Sequence, residues 1–268
     1  MRASLTITGI EVEVSVPAGP LETIVAGRYA TFLGALDAPV CSLHIQPGKV
    51  PQRLLTSVGS AVPLVEREGD TTFRVAHPSF FGTLDLEGQG SLHSAADPVG
   101  LDYALRILFA LLAPRHGAFM LNACGVISEG GAHVFAGPAG AGKSWVAGLA
   151  GDRPVLTDGY VMVRHQEGAW MAGSTPFWST FDQPGPPRES KLARLWSLRP
   201  SPAVEPCPPE SGAVLHTVME NAVFPLRETE ARRAVLDLAV ELALAVPTSK
   251  LFLDATSDVW QEIEASLV

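Results

Sequence analysis

The sequence predicts an α/β (α+β) protein in which a mixed sheet with flanking helices follows a smaller β-rich N-terminal region. Three observations carry this expectation. Residues 1–95 alternate apolar and polar side chains and are punctuated by Gly and Pro, as half-buried strands are. At Asp97-Pro98 the apolar spacing changes to that of a helix. Beyond that helix, two β-prone runs separated by Gly130-Gly131 read as a hairpin that leads into a glycine-rich turn and another helix.

Taken in order, the alternation is clearest in Leu5 to Val14, Thr72 to Val75 and Thr83 to Leu86, with a further strand at Cys41 to Ile45. The segment Leu21 to Leu36 fits a helix or a loop equally. His44, His77 and His93 stand singly among these strands and read as structural or solvent-facing. Asp97 is an N-cap with Pro98 at the first helical position; Leu101, Leu105, Leu108 and Leu112 recur at helical spacing, and Pro114 stops the run. This helix is expected to join a region 1–95 to a region 96–268, with Arg106 on a solvated face.

The hairpin pairs Phe119 to Ile127 with Ala132 to Ala136. A hairpin entry implies a mixed sheet, since a purely parallel one would need a crossover at this point. Pro154 to Asp158 is a short apolar run ending in a carboxylate, with Gly159 to Arg164 as its continuation. Trp170 to Pro187 is too rich in Pro and Gly for a regular element and reads as a substrate-side loop or lid. Arg188, Lys191 and Arg194 then either pair phosphates or lie on a solvated helix face. Leu192 to Leu198 reads as a strand and Pro200 to Pro209 as a surface connection. Ala231, Val235, Leu238, Leu242 and Ala245 make an amphipathic helix stopped by Pro247, and a strand at Lys250 to Leu253 and a last helix capped at Ser257 or Asp258 close the chain.

The chemistry concentrates in Gly137-Pro138-Ala139-Gly140-Ala141-Gly142-Lys143-Ser144-Trp145, which satisfies G-x-x-x-x-G-K-[ST] between a β-run and a helix. Glycines at 137, 140 and 142 let the backbone turn so that its N–H groups face phosphate oxygens. Lys143 is placed to reach the β- and γ-phosphates and Ser144 to hold a Mg²⁺ ion. A second, acidic metal group is needed, and Asp158 and Asp254, each at the end of an apolar run, are the candidates. The expected ligands are therefore a nucleotide and Mg²⁺.

Composition narrows the partners. With 47% hydrophobic residues among 268 the chain can bury a large core, and a net charge of −9 argues against a general nucleic-acid surface. Cys41, Cys124 and Cys207 lie far apart without a CxxC pair, so neither zinc nor a disulfide framework is indicated. No apolar run reaches the length of a bilayer span and no leader-like segment opens the sequence. A cytoplasmic protein, with no nucleic-acid and no membrane partner, is expected.

With these pieces in place, residues about 97–266 resemble the HPr kinase/phosphorylase-related proteins, P-loop kinases of the phosphoenolpyruvate-carboxykinase-like fold group. The resemblance rests on order: Asn122-Ala123, the loop Gly137 to Ser144, Leu156-Thr157-Asp158-Gly159, Ser174-Thr175-Pro176 and Val246-Pro247 follow one another as in that family. It implies transfer of an ATP phosphoryl group to a serine-type hydroxyl of a protein, peptide or small molecule. Lys143 would neutralise the transferred group, Ser144 would hold Mg²⁺, and Asp158 would orient or deprotonate the acceptor or bind the metal. Relatives often form homo-oligomers. Two positions depart from the pattern: Gly159 stands where the family has a second Asp, and Asn122 where it has His. Asp152, Asp182 and Asp254 are the carboxylates available as substitutes. A nucleotide-binding accessory module with weak or no catalysis is the alternative.

Overall fold

The computed structural model describes residues 1–52, 54, 62–180, 185–201, 205–208, 212–226, 229–253 and 259–266. It is mixed α/β, with two large mixed sheets and helices in two compact units, the first made essentially of Met1–Ala113 and the second running from Pro114 to the C-terminal helix. The division falls at Ala113/Pro114 and not at 95/96, so the helix that opens at Asp97 belongs to the first unit.

Eight strands form the first sheet: β1 (Arg2–Ile7), β2 (Ile10–Ser15), β3 (Leu33–Gly34), β4 (Cys41–Pro47), β5 (Leu64–Arg67), β6 (Thr72–His77), β7 (Phe80–Asp85) and β8 (Gln89–Ser94), in the order β3-β1-β2-β4-β8-β7-β6-β5. The period-two pattern explains their burial: Leu5, Ile7, Val12 and Val14 are fully covered while Glu11 and Glu13 are not. β2, β4 and β8 run parallel, which requires a crossover between β2 and β4. The ambiguous stretch from Leu21 supplies it as α1 (Pro20–Arg28), burying Leu21 and Val25, followed by a 3₁₀ turn at Ala30–Phe32.

α2 (Pro98–Leu112) starts as its sequence predicts, the Asp97 carboxylate accepting from Val99 N and Gly100 N at 3.1 Å. Arg106 stacks over the Tyr103 ring at 4.2 Å. Its Asp102, nearly buried, accepts the Arg28 Nε at 2.8 and 2.9 Å and the Tyr29 hydroxyl at 2.6 Å. Removing one partner of such a cluster strands the others in a low dielectric. Asp102→Ala is therefore expected to cost about 3 kcal/mol in urea denaturation; a loss below about 1 kcal/mol would show that Arg28 and Tyr29 find water instead.

The second sheet contains β9 (Ala118–Ser128), β10 (Gly131–Ala136), β11 (Val155–Thr157), β12 (Tyr160–Gln166), β13 (Ala169–Gly173), β14 (Glu189–Pro200), β15 (Glu205–Pro206) and β16 (Thr248–Leu253). Its order is β10-β9-β12-β13-β14-β16-β15, with β11 on β9 and an added parallel pairing of β10 with β14. The two long strands make this possible. β9 pairs with β12 through Ala118–Asn122 and with β10 through Ala123–Ser128, while β14 starts against β13 and continues between β10 and β16. The path β10-β9-β12-β13-β14 thus returns to β10.

Inside it lies a core of Phe119, Leu121, Val134, Leu156, Val161, Trp170 and Leu195, covered by α4 (Ala213–Asn221) and α5 (Thr229–Ala245) through Val214, Val218, Val235, Ala239 and Leu242. The opposite face carries Cys124, Phe135, Trp196, Leu198 and Leu251 against α3 (Lys143–Gly148) and α6 (Val259–Ala265).

Several expectations change here. The Gly/Pro-rich stretch from Trp170 opens as strand β13, because Trp170 and Ala172 are buried, so the loop begins only at Ser174. Lys191 and Arg194 lie on β14 and not on a helix. β11 and β12 do not form one strand, since a turn at Asp158-Gly159 separates them. α4 was not anticipated, although Val214, Leu215, Val218 and Met219 recur at helical spacing: it is short and follows a Pro-rich stretch that reads as a surface connection. Among the described residues, no helix is long and apolar enough to cross a membrane.

Candidate functional site

The site is built where the two ends of the β9 ladder meet. Ala136, the last residue of β10, pairs with Ala123 on β9; on the other side of β9, Ala123 N donates to Gly159 O at 3.0 Å. The turn after β10 and the turn after β11 therefore lie one strand apart.

The first turn spans Gly137 to Gly142. Pro138, Ala139 and Gly140 form its exposed crest, Ala141 packs underneath, and Ala141 N donates to Pro138 O at 3.1 Å. Gly142 caps α3 with φ of 100°, a conformation that costs a residue with a Cβ about 1–2 kcal/mol. α3 is only one and a half turns long, so the amides of the turn and the lysine matter more here than any helix dipole. Lys143 Nζ curls back to donate to Gly137 O at 2.7 Å and Pro138 O at 2.9 Å. Burial lowers the Lys143 pKa from its ordinary value, opposed by the neighbouring Cys124. An ammonium held by two carbonyls at the mouth of a glycine turn can exchange them for anionic oxygens. The indole of Trp145 packs against the core beneath α3.

The second turn delivers Asp158, which is fully buried. Thr157 shapes it, its Oγ1 accepting from Gly159 N at 3.1 Å and Tyr160 N at 3.4 Å. Asp158 Oδ2 accepts from Ser144 Oγ at 3.0 Å and from Thr180 N at 2.8 Å, and Oδ1 accepts from Ser179 N at 2.8 Å. Thr180 Oγ1 donates in turn to Ser144 Oγ at 2.9 Å. Ser144 and Asp158, fourteen residues apart, thus meet.

Ser179 and Thr180 were missed from sequence beyond the general expectation of a loop at this place. The loop is pinned by ordinary chemistry. Ser174 and Arg188 exchange hydrogen bonds at its base, Thr175 Oγ1 donates to Tyr160 O, and Trp178 Nε1 donates to Thr175 O at 3.0 Å. Gly159 lies directly below. A Cβ at 159 would come within 2.5 Å of Phe177 O and 2.8 Å of Ser179 Oγ. The space that a second aspartate would need is filled by the loop.

No family model matches this chain, and no curated protein matches it.

The remaining candidates lie elsewhere. Asp152 sits at the other end of β11 from Asp158, in an open cleft with Glu129, Arg153 and Glu264, so it does not reach the site. Asp182 and Asp254 lie outside the described residues. Asn122 faces Tyr160 on β12, one residue before Ala123. Arg188 and Lys191 are exposed, and the Arg194 guanidinium lies over Trp196 at 5.2 Å and reaches Ser249 Oγ at 3.3 Å, three residues back along the sheet from the turn. Among the described residues, no group of three or more His, Cys, Asp and Glu is gathered to hold a metal. A cation here would rest on Ser144 and Asp158 and would complete its shell with oxygens from a ligand.

Beneath α3 and α6, His133 is buried among Phe135, Trp196 and Trp260 and accepts from Trp196 Nε1 through Nδ1 at 3.0 Å. Burial, reinforced by Arg194 and opposed by Glu264, lowers its pKa to about 4. The neutral ring is the folded form, and protonation would set two N–H donors against each other at Trp196. Because the folded pKa lies below the unfolded one, the stabilisation is complete above pH 6.5 and is lost as pH falls to about 4, by up to about 3 kcal/mol. His133→Gln is expected to flatten melting temperature against pH across that window; an unchanged slope would assign acid sensitivity elsewhere.

Proposed function

We propose that the chain is a Mg-ATP-dependent phosphotransferase acting on a serine-type hydroxyl of a protein, peptide or small molecule, with the phosphoenolpyruvate-carboxykinase-like fold of the HPr kinase/phosphorylase-related proteins. The observation that carries the reading is the pairing of Ser144 Oγ with Asp158 Oδ2 at 3.0 Å beside a lysine held in the glycine turn. One hydroxyl and one carboxylate next to an ammonium that can exchange its two carbonyls for anionic oxygens suit a cation-bound polyphosphate.

When bound, Mg²⁺ would neutralise charge on the phosphate oxygens. The chain's own residues do the rest. Lys143 leaves the carbonyls of Gly137 and Pro138 and donates to the phosphoryl oxygens. Asp158 holds and orients. Its two oxygens already accept from Ser144, Ser179 and Thr180, which fixes the carboxylate beside the Ser144 hydroxyl. Phosphoryl transfer asks for little more, because its loose transition state depends on positioning and charge more than on a strong base.

The loop filling the space at Gly159 favours a second reading, a nucleotide-binding accessory module that retains the cradle with one acid fewer. Calorimetry with Mg-ATP and transfer of labelled γ-phosphate to a serine-containing peptide library separate the two. Heat with transfer supports the kinase. Heat and a raised melting temperature without transfer support the module. No heat at millimolar ATP or GTP overturns both.

A further inference from the structure

We propose that Thr180 is a third protein ligand of the cation, so that loop 174–180 contributes to the metal site together with the glycine turn and Asp158. This rests on the nucleotide reading above and adds to it a residue that the motif does not contain.

Thr180 is a solvent-exposed loop residue, yet its N–H is fixed on Oδ2 of the buried Asp158 at 2.8 Å and its hydroxyl lies 2.9 Å from Ser144 Oγ. Three oxygens from three separate segments converge: Ser144 Oγ stands 3.0 Å from Asp158 Oδ2 and 2.9 Å from Thr180 Oγ1. Mg²⁺ binds oxygen at about 2.0–2.1 Å in an octahedron, whose adjacent ligands are then roughly 2.9 Å apart. These two separations fit adjacent positions of one such shell.

The hydroxyl hydrogens must turn. Thr180 donates to Ser144, and Ser144 donates to Asp158. A cation among the three oxygens takes the lone pairs, and each hydroxyl hydrogen rotates outward to water or to a phosphate oxygen. The Ser179 and Thr180 amides keep Asp158 in place throughout. The set carries one carboxylate and two neutral hydroxyls, so the cation is expected to bind with a nucleotide and weakly alone.

The test uses the full chain, Mn²⁺ as a spectroscopic probe, ADP as the nucleotide, and the variants Thr180→Val and Thr180→Ser. Valine keeps the backbone N–H and the shape while deleting the oxygen; serine restores the oxygen. Electron paramagnetic resonance titration of the ADP complex is expected to show Mn²⁺ bound at least about tenfold more weakly by Thr180→Val, with Thr180→Ser near wild type. ADP affinity in EDTA should be the same for all three proteins. Equal Mn²⁺ affinity for wild type and Thr180→Val overturns the ligand role alone, as does the appearance of phosphate on Thr180 after incubation with ATP, which would make it an acceptor. Failure of the wild type to bind ADP with or without Mn²⁺ overturns the nucleotide reading as well.

Discussion

Asp158→Asn is expected to reduce Mg²⁺-dependent phosphoryl transfer by at least about 100-fold and to weaken cation binding to the nucleotide complex to a similar degree. The amide removes the one carboxylate among the described groups at the site and cannot replace its hydrogen bonding. Three donors converge on Asp158: Ser144 Oγ, Ser179 N and Thr180 N. An asparagine offers a single oxygen, and whichever way it turns, its NH₂ faces a backbone N–H. The same substitution should therefore also lower stability by about 2 kcal/mol, since a buried donor left unpaired costs 1–3. Measuring transfer and urea stability together separates the chemistry from the folding. Retained transfer in a folded variant would remove Asp158 from the mechanism.

Gly159→Asp, which restores the carboxylate present in the resembled family, is expected to damage the protein instead of activating it. The new Cβ would stand 2.5 Å from Phe177 O and 2.8 Å from Ser179 Oγ, and the first of these is backbone that cannot swing aside. Loop 174–180 must lift, taking with it the Ser179 and Thr180 amides that hold Asp158. A second carboxylate would arrive beside a buried one that has just lost donors. A cost of about 3 kcal/mol follows, or a fall of roughly 5–10 °C in melting temperature for a chain of this size. Gly159→Ala isolates the steric part and should show much of the loss. A Gly159→Asp protein that melts like the wild type and transfers phosphate faster would mean that the loop yields freely.

Local patterns reached a good part of the architecture. Asp97-Pro98 started α2, and the β9–β10 hairpin turned at Glu129-Gly130, one residue before the glycine pair, with Gly131 already in β10. Leu5 to Val14 formed two strands about a turn at Thr8-Gly9. Each is decided within one or two turns of chain, where capping, turn geometry and apolar period act alone. Trp170 and Ala172 were hidden by the company they keep, because Gly173, Pro176 and the prolines after them dominate the composition while burial of two side chains against the core makes the strand. Arg194 could pair a phosphate on charge alone; its stacking on Trp196 follows from both lying on β14, where residues two apart share a face.

Read by itself, the order of residues from Gly137 to Ser144 determined the glycine turn, the place of its lysine and the need for an acid nearby, because that chemistry is written in contiguous residues. Only the folded chain brought an acid to Ser144. Asp158 arrives there because β11 and β10 flank β9 and bring their C-terminal turns together, while Asp152 remains at the far end of the same short strand and Asp254, the other candidate, lies outside the described residues. Ser179 and Thr180 were recruited, and the absence of a side chain at 159 was given its use, by a loop returning from residues far along the chain. Contacts of that kind depend on strand pairing over long sequence separations, and no local pattern encodes them.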